Sequence, residues 1–150
     1  MSEVMKRAIA QRVSELAAPV TLPIERAPDA LLAGVERALL AGETHYTDRP
    51  GIRELREKVA LKLGLEVDGV IITNGAREGA FVTGLALGER PDDLMIGNFH
   101  DLEGISSFRV GFVAGPVETA KKVRTMKQAL SICTAAPSQR AVILALEASE

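Results

Sequence analysis

Residues 70–80 read Val-Ile-Ile-Thr-Asn-Gly-Ala-Arg-Glu-Gly-Ala. The run VIIT at 70–73 is short, apolar and rich in β-branched residues, the pattern of a buried strand. Asn74 and Gly75 turn the chain, and a helix runs from about Ala76 to Leu87. A helix start leaves backbone N–H groups pointing at whatever sits before it, and the helix dipole favours an anion there. Asn74 and Gly75, with the amides of Ala76 and Arg77, could cradle a phosphate. A plain strand-to-helix turn in which Gly75 serves only the backbone has the same spelling and is, on shape alone, the commoner outcome.

Working outward, LMIGNF at 94–99 predicts a second strand and FRVGFVA at 108–114 a third. The connection from Phe99 to Phe108 is short and has no helical pattern, so the third strand should run antiparallel to the others. The expected order is first, third, second, with a right-handed crossover between the first two. The fold class is α/β: a small three-stranded mixed sheet flanked by helices. Upstream, helices are expected over 3–18 and from Pro28 or Asp29 to Gly42, with Leu31, Leu32, Val35 and Leu39 on one face. A further helix spans about 50–63, with Ile52, Leu55, Val59 and Leu63 facing inward and Gly64 as its C′ residue. Pro19 and Pro23 mark an extended connector between the first two helices. Downstream, helices at about 117–132 and 138–149 are separated by Pro137. No linker divides the chain, so 1–150 is one domain, helical over about 1–65 with an α/β core over about 66–150.

Composition narrows the function classes. The chain has 150 residues, 47% hydrophobic and 25% charged, with a net charge of -2. That profile suits a globular domain and gives no electrostatic footprint for nucleic acid. Aromatics are 3% with no Trp, too few for a base-stacking surface. The longest apolar run, AVILAL at 141–146, is far short of a membrane span. The N-terminus carries mixed charge and no apolar core, unlike a signal peptide. These features predict a cytoplasmic protein with no nucleic-acid or membrane partner. Cys133 is the single cysteine, and His45 and His100 lack metal-ligand spacing.

Two other residues carry possible chemistry. Arg109 lies within an apolar strand pattern, and a half-buried arginine needs an anion. A phosphate would serve, and so would Asp101 or Glu103 in an ordinary ion pair. Tyr46, the only tyrosine, lies in the loop THYTDRPG at 44–51, where an ordinary surface or core-edge role is the commoner one.

Taken together, four segments resemble the class I/II aminotransferases, the fold-type I pyridoxal-phosphate enzymes. ETHYTDRPGIRELREKVALKL (43–63) is similar to the block before the cofactor domain. IITNGAREGA (71–80) is similar to the strand and phosphate-cup turn. NFHDLEGISSFRVGFVAGP (98–116) is similar to the lysine block, and QRAVILAL (139–146) to the helix that follows. The resemblance implies a cofactor site at Tyr46, Asn74, Gly75, Ala76 and Arg109. Tyr46 would reach the phosphate of the neighbouring subunit in a homodimer.

Two departures accompany the match. In the family the Schiff-base lysine lies eight residues before the phosphate-binding arginine; with Arg109 in that role, the position is Asp101, and no lysine lies between Lys62 and Lys121. A carboxylate cannot condense with an aldehyde, and its charge would repel a phosphate. After GLALGERPDD the chain passes straight to MIGNFHD, where the family has a long central section bearing the aspartate that keeps the pyridine nitrogen protonated. The small domain with the substrate-carboxylate arginine would also be missing. The resemblance therefore implies an internally deleted, truncated aminotransferase: an inactive remnant with no catalytic residue and a partial site for a phosphate-bearing small molecule. Pyridoxal phosphate, if held, would be held weakly and non-covalently. The alternatives are a non-catalytic structural, dimerisation or interaction domain, and an enzyme completed by another chain. Deletion should leave LMIGNF as a new sheet edge.

Overall fold

The computed structural model describes residues 25–149 together with Glu3, Arg7, Ala10 and Gln11, these four in helical conformation. The rest of the helix expected over 3–18, and the Pro19–Pro23 connector, lie outside the described residues.

Helix α1 (Asp29–Leu40) starts after Pro28, and Asp29 in its first turn accepts a 2.6 Å hydrogen bond from Arg26. Only Leu31, Gly34 and Val35 of α1 are buried. Leu32 and Leu39, expected on the same inward face, remain 38% and 39% exposed. The contact is narrow because α1 rests on the last helix at Gly34, where a Cβ would lie 2.7 Å from Leu144. Helix α2 (Arg53–Leu63) buries Leu55 and Val59 and ends at Gly64, left-handed at φ 67°, as its spacing predicts.

Strand β1 (Val70–Thr73) is buried throughout and leads through Gly75 into α3 (Ala76–Leu87). Strand β2 (Met95–Asn98) follows, then a 3-10 turn at Ser106–Phe108, then β3 (Gly111–Ala114). Helices α4 (Val117–Ser131) and α5 (Ala136–Ser149) complete the chain. Pro137 sits inside the first turn of α5 instead of separating two helices, a position where its missing N–H costs no helical bond.

The strand order is β1-β3-β2, as connection length predicts. Both ladders are antiparallel, with Val70 opposite Ala114 and Met95 opposite Ala114 from the other side. The expected mixed sheet is therefore an antiparallel one: β1 and β2 point the same way, but β3 separates them, so no parallel ladder forms. The third strand is also shorter than the predicted 108–114, because the chain is still turning at Arg109.

Alternation along the strands divides the core into two layers. Val70, Ile72, Phe112 and Ala114 face α1, α2 and α5. Ile71, Ile96 and Val113 face α3 and α4 with Val82, Leu94 and Val123. Helix α3 lies close to the sheet at Gly79, where a Cβ would stand 3.0 Å from Val113 and 3.1 Å from Ile96. The two sheet edges differ. The outer edge of β1 is closed by Ile72 N–H donating to the Pro50 carbonyl at 2.8 Å and by Thr134 Oγ1 donating to the Ile72 carbonyl at 3.4 Å. The outer edge of β2 has no backbone partner among the described residues.

Candidate functional site

The turn between β1 and α3 is built from short local bonds. Thr73 Oγ1 donates to the Gly75 carbonyl at 2.9 Å, and Gly75 adopts φ 83°, ψ 164°, a conformation nearly reserved for glycine. The first helical residues press on β3: a Cβ on Gly111 would lie 2.6 Å from both Ala76 N and Gly75 C. The Arg109 carbonyl faces the same turn, 3.8 Å from where a Gly75 Cβ would be. Asn74, Gly75, Ala76 and the backbone of Arg109 thus converge at one end of the sheet.

Arg109 differs from its prediction in conformation and burial. It follows the 3-10 turn with φ 55°, ψ 48°, outside β3, and its side chain is exposed. The 3-10 turn closes with Arg109 N–H donating to the Ser106 carbonyl at 3.3 Å, and this bond consumes the residues expected to extend the strand. Burial therefore imposes no demand for an anion, and neither Asp101 nor Glu103 forms an ion pair with Arg109. What remains is an exposed arginine whose backbone carbonyl lies beside the helix start.

That start already holds a carboxylate. Glu78, the third residue of α3, accepts from Asn74 N–H at 2.6 Å and from Asn74 Nδ2 at 3.0 Å. A glutamate at this position commonly reaches back to an N–H ahead of its helix. Its Oε2 also lies 3.9 Å from Lys127 Nζ. Lys127 on α4 is fully buried, donates to Ser131 Oγ at 3.3 Å, and has its pKa lowered by burial, with Glu78 opposing the shift. Neither residue was singled out from sequence. Lys127 had a signal: with Ala120 and Val123 it falls on the apolar stripe of α4.

Tyr46 is 77% exposed and shares a groove of about 720 Å³ with Asn74, His45, Cys133 and Pro137. Its loop is fastened from below. Gln139, buried on α5, accepts from Ile52 N–H at 2.7 Å and donates to the Thr134 carbonyl at 2.7 Å and to Thr47 Oγ1 at 3.2 Å. Arg140 holds Glu43 at 2.9 Å and Glu54 at 3.1 Å. Buried Arg56 donates to the Gly51 and Val67 carbonyls at 3.2 and 3.1 Å. Asp101 is not in this groove. It sits exposed in a turn and lines a separate pocket of about 160 Å³ with Lys58, Lys62, Phe99 and Phe112.

No family profile matches the chain. An aspartate aminotransferase from Pyrococcus horikoshii is 36% identical over 100 residues, 60% of this chain and 26% of that protein. An aspartate aminotransferase from Thermotoga maritima is 35% identical over 75 residues, 46% of this chain and 20% of that protein. Over those stretches the chain is similar in sequence to aspartate aminotransferases. The matched stretch spans about a quarter or less of these relatives' length. The solved aspartate aminotransferase of Thermus thermophilus with maleate superposes with a TM-score of 0.76 at 14% identity, over 99% of this chain and 71% of that one. A solved aspartate aminotransferase from Thermotoga maritima gives a TM-score of 0.67 at 17% identity, over 98% and 72%. At those identities the superpositions establish the fold, an aminotransferase-like α/β core. Among the described residues no helix is long and apolar enough to cross a membrane.

Proposed function

We propose that this chain is a non-catalytic, aminotransferase-like core that binds a phosphate ester weakly at the 74–77 turn and Arg109, in a cytoplasmic homodimer. The observation that carries the reading is the convergence of Asn74, Gly75 and Ala76 with the backbone of Arg109 at the first turn of α3, which puts the exposed Arg109 side chain within reach of that turn. Helix-start amides and an exposed guanidinium are the groups that hold phosphate in many unrelated sites. Tyr46, by family pattern, would reach the neighbouring subunit's phosphate.

Pyridoxal phosphate fits these residues at its phosphate end only. Asp101 stands where the family has its lysine, lines a different pocket and cannot form an imine. The internal deletion has support in the coverage figures. In the Thermotoga relative 75 residues make up only 20% of the protein, whereas the superposition threads 98% of this chain across 72% of the solved Thermotoga enzyme. A span of that size holds far more than 150 residues, which supports the reading that a long internal section has no counterpart here. Amino-group transfer is therefore not assigned to this chain.

A second reading, a structural or interaction domain with an inherited turn, is favoured by one observation. The Glu78 carboxylate already occupies Asn74 N–H and Nδ2. Calorimetric titration with inorganic phosphate and with pyridoxal phosphate separates the two. Weak, salt-sensitive binding that Arg109→Ala abolishes supports the phosphate site. Equal heats for wild type and Arg109→Ala support the second reading.

A further inference from the structure

We propose that the outer edge of β2 pairs antiparallel with β2 of a second copy of this chain, forming one continuous sheet across two protomers. This surface is distinct from the Tyr46 groove and needs no ligand.

Four observations lead to it. In an antiparallel ladder alternate residues of an edge strand turn their N–H and C=O groups away from the sheet. Those of β2 have no partner among the described residues, although the opposite edge of the same sheet is closed by Pro50 and Thr134. The strand has none of the usual edge protection: Met95, Ile96, Gly97 and Asn98 include no lysine, proline or charge, and Met95 is 38% exposed.

Beside this edge runs a groove of about 400 Å³ between α3 and β2, lined by Ala76, Ala80, Gly84, Ile96 and the cations Arg77 and Arg90. Thr83 also lines it. Its Oγ1 is buried without a hydrogen-bond partner, the single such side-chain atom among the described residues. An orphaned buried hydroxyl in a groove is a place for a polar group from outside the fold.

Charge selects the occupant. Gly111 pairs with Asn98 and abuts Ala76, so Arg77 lies at the Asn98 end of β2. Asp92 and Asp93, just before β2, are exposed and form no ion pair among the described residues. When two β2 strands run antiparallel, residues that precede the strand in one copy fall beside the far end of the strand in the other. Asp92 and Asp93 of each protomer then approach the Arg77 end of the other groove, twice by symmetry. A two-fold contact uses one patch on both copies, and this patch is complementary to itself.

The test is sedimentation equilibrium of the intact chain, with amide hydrogen exchange as a second readout. The expected result is self-association at micromolar concentration, a dimer through β2 in Tyr46→Ala, that weakens with salt and whose constant falls at least about tenfold in Asp92→Arg/Asp93→Arg. Amides of Ile96 to Asn98 should gain protection as protein concentration rises, a readout that stands even if the double variant fails to fold. Tyr46→Ala should leave this association intact, which separates it from the contact proposed for the phosphate site. A monomer throughout, or a dimer indifferent to the double variant with β2 amides unprotected, would overturn the proposal.

Discussion

Gly51 holds the Tyr46 loop against the sheet. Its φ is 109°, and a Cβ there would stand 2.4 Å from Ile72 Cγ1 and 3.0 Å from Gln139 Oε1. Gly51→Ala combines a disfavoured backbone with a clash in a packed core, so it should cost about 2–4 kcal/mol. Urea denaturation should show this as a lower midpoint with an unchanged slope. Lys127 gives a pH signature. Burial disfavours its protonated form, so its folded pKa lies below the ordinary 10.5. Below 10.5 there is then a window in which the unfolded chain binds more protons than the folded one, and stability rises with pH through that window and levels off above it. Lys127→Met should remove the rise, and because it leaves the half-buried Glu78 carboxylate without its cation it should lower stability near neutral pH. Unfolding curves of both proteins between neutral pH and pH 10 check this; parallel pH dependence would place the proton elsewhere. The lysine was legible as a charge on an apolar stripe. The conformation of Arg109 was not, because FRVGFVA has the spelling of a strand and only the 3-10 turn at Ser106–Phe108 stops it.

At the scale of elements, α3 is contested at its N-terminus. Its dipole and amides invite an anion, and Glu78 supplies one from within. Glu78→Gln keeps an acceptor for Asn74 N–H but removes the charge. Phosphate affinity should then rise roughly two- to fivefold, matching the 0.3–1 kcal/mol typical of a charge at a helix terminus. Low-salt calorimetry measures it; an unchanged constant would mean that the carboxylate and phosphate do not compete. The sheet order β1-β3-β2 was readable from one feature, the short helix-free connection between Phe99 and Phe108. The two core layers follow from alternation in VIIT and GFVA. Side-chain bonds across long sequence separation were not readable. Gln139 reaches Ile52, and Arg140 reaches Glu43 and Glu54, through geometry that exists only once α5 has docked.

For the whole molecule, we propose an aminotransferase-like core without the means to transfer an amino group. The turn borders the Tyr46 groove through Asn74, whereas Asp101 lines pockets elsewhere. Restoring a lysine by Asp101→Lys returns one of the groups the chemistry needs and none of the electron sink. General-base help alone is worth ~10²–10⁴-fold, short of the roughly 10⁶-fold or more that enzymes reach. The most direct measurement incubates wild type and Asp101→Lys with pyridoxal phosphate, traps any lysine adduct with borohydride, and assays amino-acid turnover against free cofactor. The expected result is no trapped adduct on the wild type, at most slow trapping at position 101 in the variant, and turnover in neither above the free-cofactor rate. A stoichiometric adduct on the wild-type chain, or turnover well above free cofactor, would contradict it.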